Sequence, residues 1–164
     1  MVKINTVLCA LLIFHFYLHG NIQFIADSLT LELPSRIIAS GNTLFKRQDM
    51  NISSQFFTYD TSSQTALFES NVIIRYKNSV LRGKRFELDV NKQLIKGSGT
   101  IVFKAENIKA FSERLIITNY ELLRLKNNVR IKQNGSQIKS NELLYNLKTD
   151  TILSNERVRL ILEE

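Results

Sequence analysis

The chain has 164 residues, 44% of them apolar, and a formal charge of +7 from 22 Lys and Arg against 15 Asp and Glu. That is enough length and apolar content for one domain with a real core, and too apolar for disorder. It has no Trp, and its only Cys and His are Cys9, His15 and His19. From Asn21 onward this excludes Cys/His metal sites, Ser-His or Cys-His nucleophile pairs and thiol redox chemistry.

Residues 1–20 read as an export signal. Lys3 supplies the positive start, Val7 to Leu18 is apolar apart from His15, and Gly20 offers a small residue for cleavage. The apolar run is short against the roughly 20 residues of a membrane span. The alternatives are a buried N-terminal helix, or an uncleaved anchor that borrows Ile22, Phe24 and Ile25. Cys9 has no small residue before it, which argues against lipid attachment. The remaining domain, residues 21–164, has no cysteine to form a disulfide, so packing and strand pairing must hold it together.

A repeat follows. The pattern apolar-x-small-x-x-apolar-x-apolar appears as Phe24-x-Ala26-x-x-Leu29-x-Leu31 and as Ile52-x-Ser54-x-x-Phe57-x-Tyr59. It continues as Leu81-x-Gly83-x-x-Phe86-x-Leu88, Ala110-x-Ser112-x-x-Leu115-x-Ile117 and Ile138-x-Ser140-x-x-Leu143-x-Tyr145. From Ile52 on, the spacings are 29, 29 and 28 residues, and Thr43, Val72, Ile101 and Val129 each stand nine residues before a copy. A further copy begins at Val158 and stops at Leu162, before its second strand. Residues 67–105 also align without gaps over 124–162, pairing Asn71 with Asn128, Val72 with Val129 and Phe68 with Leu125. One register kept over four units marks a repeat architecture.

Each unit reads as β. Val72, Ile74 and Tyr76 alternate, as do Phe86, Leu88 and Val90, then Ile101, Phe103 and Ala105. Period two puts each trio on one face, with mostly polar residues opposite. Turns are expected at Lys77-Asn78-Ser79, Asn91-Lys92, Glu106-Asn107 and Asn134-Gly135. Ser53, Ser54, Ser62 and Ser63 suggest loops around the strand Phe56 to Asp60, and Pro34 separates the first two units. No stretch has the composition of a flexible linker, so one domain is expected.

The short motifs carry little chemistry. Gly97-Ser98-Gly99 resembles part of a phosphate loop, but a strand follows it rather than a helix. Ser136 and Lys139 have the spacing of a Ser-Lys pair but fall in a hairpin, where no helical turn brings them together. Glu87 and Asp89 share a strand face, and their repeat counterparts are Leu144 and Asn146, so they read as solvent-facing charges rather than an acid/base pair. Asn51-Ile52-Ser53 and Asn134-Gly135-Ser136 match the glycosylation acceptor pattern, which is too short to weigh. Lys and Arg look dispersed along strands and turns, which suits an amphiphile with anionic head groups better than nucleic acid.

Ala26-Asp27-Ser28-Leu29, Ser70-Asn71-Val72, Asn127-Asn128-Val129 and the repeated units resemble the OstA-like domain family over roughly residues 24–162. That family includes LptA, the periplasmic part of LptC and the N-terminal domain of LptD, and the resemblance is greatest to the LptA branch. Ser70 and Asn127 stand where the LptA repeats carry Gly, so the tightness of those bends is for the structure to decide.

The resemblance implies an all-β stacked jellyroll of about five 28–29-residue repeats, open along an apolar groove between two sheets. It implies a non-enzymatic periplasmic carrier of lipopolysaccharide that bridges the inner and outer membranes by head-to-tail jellyroll pairing. No cofactor, metal or catalytic residue is expected. The acyl chains of lipid A would lie along Phe57, Tyr59, Val72, Ile74, Phe86, Leu88, Ile101, Phe103, Leu115, Ile117, Val129, Ile131, Leu143 and Tyr145. Residues 24–31 and 158–162 are the candidate docking edges for LptC-like and LptD-like jellyrolls, or for further copies of this chain. The competing readings are an LptC-like anchored component of the inner-membrane export complex and a structural β-repeat protein with a closed, dry interior.

Overall fold

The computed structural model describes residues 2–4, 12–14, 22–32, 34–149, 151–153 and 159–161. The chain forms fourteen described strands: β1 Val2–Ile4, β2 Leu12–Phe14, β3 Ile22–Ile25, β4 Ser28–Glu32, β5 Arg36–Arg47, β6 Met50–Asp60 and β7 Thr65–Tyr76, then β8 Ser79–Asp89, β9 Leu94–Ala105, β10 Ile108–Thr118, β11 Leu122–Gln133, β12 Ser136–Asn146, β13 Thr151–Leu153 and β14 Arg159–Ile161. All pair antiparallel, and β4 to β13 lie in sequence order. The fold is the all-β repeat jellyroll that the sequence implies. Among the described residues its two ends do not pair with each other, so the sheet they form is not closed.

The strands are longer than period-two reading suggests, because two apolar trios join in one strand. Each strand from β5 to β12 runs 11 or 12 residues and breaks register in its middle, as between Ser40 and Thr43 or Glu69 and Val72. On the odd-numbered strands the breaks fall on left-handed residues: Gly41 and Asn42, Ser70 and Asn71, Gly99, and Asn127 and Asn128. On the even-numbered strands the small residue of the repeat occupies the same bend. Its reason is local. The hydroxyls of Ser54, Ser112 and Ser140 donate to the carbonyls of Phe56, Arg114 and Glu142, two residues on across the bulge, where the ladder resumes. Ser53 and Ser54 therefore lie inside β6 rather than in a loop, whereas Ser62 and Ser63 do form a turn, capped by Asp60.

Bending every strand at the same level folds the single sheet into two facing legs. Leg one holds residues 36–40, 56–60, 65–69, 85–89, 94–98, 114–118, 122–126 and 142–146, with β4 and β13 at its ends. Leg two holds the other halves, with β3 and β14. Rings meet across the gap: Phe45 lies 5.6 Å from Phe68, Phe24 5.1 Å from Phe57, and Phe103 5.3 Å from Tyr145. The bends form the closed spine, and the hairpin turns form the opposite mouth.

The repeat length follows from this plan. A strand of 12, a two-residue turn, a strand of 11 and a four-residue turn make the 29-residue unit. The 28-residue spacing between Ala110 and Ile138 arises because the turn between β10 and β11, residues 119–121, is one residue shorter. The longer turns at 61–64 and 147–149 are tied by Asp60 and Asn146, each accepting two backbone N–H bonds, and Asp89 accepts from Lys92. Thr118 has no such carboxylate or amide, and Asn119 and Tyr120 both take positive φ.

Candidate functional site

The inner faces of the two legs make one continuous apolar surface along the sheet. All fourteen residues expected to line a groove point into it and are buried. Phe57, Tyr59, Phe86, Leu88, Leu115, Ile117, Leu143 and Tyr145 come from leg one. Val72, Ile74, Ile101, Phe103, Val129 and Ile131 come from leg two. The structure adds Phe24, Phe45, Ile52, Phe68, Leu81, Ile95, Leu123 and Leu125, which are equally buried. The gapless alignment that pairs Phe68 with Leu125 already held the signal for two of these.

The groove is filled by its own side chains. Phe86 shows the fit: its ring lies over Gly83 and Gly97, where an added Cβ would stand 2.8 and 2.6 Å from ring carbons. Phe68 and Gly97 are its direct cross-strand neighbours, so one large ring occupies space that two glycines leave.

The mouth is fastened by polar contacts. The short turn carries Tyr120 across from leg one to leg two, where Arg47 Nη1 donates to its hydroxyl at 3.0 Å. The Tyr76 ring lies 6.2 Å from the Tyr120 ring, and Lys77 Nζ sits over Tyr76. Burial raises the Tyr120 phenol above its ordinary pKa, with the Arg47 charge pulling the other way, and the same two influences act on Tyr59. Arg47 Nε is buried with no hydrogen-bond partner among the described residues. Beneath this clasp lies an apolar gap of about 10 Å³ bounded by Met50, Ile74, Leu81, Phe103 and Ile117, room for about one water.

The charged groups singled out in the sequence lie outside. Glu87 pairs with Arg85 and Asp89 with Lys92 on the outer face of leg one and its turn. The Lys92 contacts hold the Asp89 carboxyl below its usual range, so it is a charge pair and not a poised acid. Ser136 and Lys139 lie on β12 on opposite faces of the sheet, and Gly97 to Gly99 run through the bend of β9. Among the described residues no cluster of His, Cys, Asp or Glu is arranged to hold a metal.

Residues 23–151 match the family described as LptA/(LptD N-terminal domain) LPS transport protein. The chain belongs to this family. The work its description gives the family is lipopolysaccharide transport. The fold agrees with a crystal structure of LptH, the LptA homologous periplasmic component of the conserved lipopolysaccharide transport device from Pseudomonas aeruginosa. The TM-score is 0.62 at 11% identity, over 70% of this chain and 95% of that one. No curated protein sequence matches significantly. Against the family's glycines, Ser70 and Asn127 hold the left-handed bend with φ of 63° each, so the bend is kept without Gly.

The two candidate edges differ. Residues 24–31 lie in β3 and β4, and their outer sides pair with β2 and β1, from the segment expected to be the leader. At the other end β13 and β14 are three residues each, and Val158 and Leu162 lie outside the described residues. Among the described residues no helix is long and apolar enough to cross a membrane.

Proposed function

We propose that this chain is exported and carries lipopolysaccharide between its two legs, handing it on to a partner jellyroll joined at a sheet edge. The observation that carries the reading is the continuous apolar interior, which runs along the sheet and is closed at the hairpin turns by the side-chain clasp of Arg47 and Tyr120. Lipid A acyl chains would replace side-chain contacts there, at roughly 0.8 kcal/mol per buried CH₂. The phosphorylated head group stays at the mouth, where Arg47 and Lys77 stand. No residue is needed for chemistry, because an amphiphile is passed along a surface.

In this reading removal of residues 1–20 strips β1 and β2 from β4 and β3, leaving unpaired N–H and C=O groups for the preceding jellyroll. An uncleaved leader would instead keep the chain at the inner membrane as an LptC-like component, its apolar run from Val7 to Leu18 extended by Ile22, Phe24 and Ile25. N-terminal sequencing of the exported protein separates the two. Binding of lipid A by the purified protein, with loss of lipopolysaccharide export on depletion, is the result expected of a carrier. Intact export after depletion together with no lipid A binding would sink the proposal.

A further inference from the structure

The charges that look dispersed in the sequence are sorted by the fold. All six ion pairs of the described residues lie on leg one or its turns: Glu32 with Arg36, Arg85 with Glu69 and Glu87, Lys92 with Asp89, and Glu142 with Arg124 and Lys126. The outer face of leg two carries Lys46, Arg75, Arg82, Lys104, Lys109, Arg130, Lys132, Lys139 and Arg159, and its described strands place no Asp or Glu on that face. None of these cations has an ion-pair partner among the described residues. Asp49 and Glu106 lie in turns at the mouth, and Glu113 lies at the spine, bonded to Asn128 at the margin of the patch.

The register makes the crowding sharper. Lys109 stands directly opposite both Lys104 and Lys132, and Lys139 directly opposite both Arg130 and Arg159. Two rows of three like charges, on neighbouring strands about 4.8 Å apart, destabilise the sheet. Solubility does not require that arrangement, since leg one is equally exposed and balanced. Half-buried Ile73, Val80, Val102 and Phe111 are interleaved with the cations, and Lys109 Nζ lies 5.0 Å over the Phe111 ring. At one end of the patch an open hollow of about 800 Å³ is bounded by Phe111, Arg130, Lys139 and Arg159, with Asn141 and Glu113.

We infer that the outer face of leg two docks on the surface of an anionic phospholipid bilayer, independently of whatever occupies the groove. A row of long cationic side chains with apolar residues between them matches the boundary between charged head groups and acyl chains. A nucleic acid would need exposed rings for stacking, and the one aromatic on this face is half-buried. Phosphates of the leaflet meet the two rows, and the hollow receives one head group. The jellyroll then lies with its mouth along the membrane plane rather than away from it.

The test is co-sedimentation of the full chain with vesicles of phosphatidylcholine alone and with about one third phosphatidylglycerol, at low and high salt. One variant carries Lys104→Gln, Lys109→Gln, Arg130→Gln, Lys132→Gln and Lys139→Gln. A charge-matched control carries Lys84→Gln, Lys92→Gln, Lys96→Gln, Arg114→Gln and Lys148→Gln, all exposed and off the patch. Wild type and control should bind anionic vesicles more than neutral ones, salt-sensitively, and the patch variant should lose at least ~10-fold in partitioning. Its melting temperature should be unchanged or higher, because like-charge rows are relieved. Equal partitioning of all three proteins would overturn the inference. So would a wild-type preference for short duplex DNA or polyglutamate over anionic vesicles at equal charge.

Discussion

At the residue scale, the bends and the packing around Phe86 carry the most specific demands. Ser70 takes φ of 63°, a conformation that costs an L-residue roughly 1–2 kcal/mol and glycine almost nothing. Ser70→Gly should therefore raise the urea-unfolding free energy by up to about 1 kcal/mol, the extra chain entropy of glycine limiting the gain. A lower stability would show that the hydroxyl makes a contribution the geometry does not reveal. Gly97→Ala should do the reverse. Its Cβ would meet the Phe86 ring at 2.6 Å, and a ring wedged between strands cannot swing away, so a loss of about 1–3 kcal/mol is expected in the same assay. Which residues face inward was legible in the sequence, because alternation fixes a face. That Gly83 and Gly97 serve one ring was not, because Phe86 and Gly97 become neighbours only through strand pairing.

At the element scale, the decisive unit is the shortened turn between β10 and β11. Its missing residue shows in the sequence as the 28-residue spacing between Ala110 and Ile138, yet only the fold reveals that the turn carries a tyrosine across the mouth. Tyr120→Phe removes the acceptor for Arg47 and should cost about 1 kcal/mol, since a half-buried guanidinium would lose its bond. Tyr120 in this turn and Tyr59 on β6 set a pH dependence. Burial raises the folded-state pKa of Tyr120 and Tyr59 above 10.0, so the neutral phenol is the form the fold prefers. That contribution is fully present below the unfolded value and is lost as pH rises through the folded one. Thermal unfolding followed across this range should show stability falling above about pH 10, less steeply in Tyr120→Phe. The long strands were less legible than the turns. Each holds two period-two stretches separated by left-handed residues, and without knowing that the backbone bends there the halves read as separate strands.

At the scale of the whole molecule, the repeat pointed to the architecture, and three-dimensional sorting supplied what the sequence could not. Lys and Arg recur at intervals that look even along the chain, but strand alternation and the bend gather nine cations, with no acid among them on the described strands, on the outer face of leg two. The docking edges were only partly legible. Residues 24–31 do form strands, but β1 and β2 now cover them, because pairing with a distant segment leaves no local pattern. The central claim is that the interior between the legs is where lipid travels, and photocrosslinking from both faces of one strand tests it most directly. A benzoylphenylalanine would be placed in turn at Phe103 and Lys104 on β9, and at Leu88 and Glu87 on β8, in cells making lipopolysaccharide. Variants would be checked first for a cooperative unfolding transition. The account predicts lipopolysaccharide adducts from Phe103 and Leu88 and none from Lys104 or Glu87. Adducts from the outward positions alone, or from none of the four in folded protein, would contradict it.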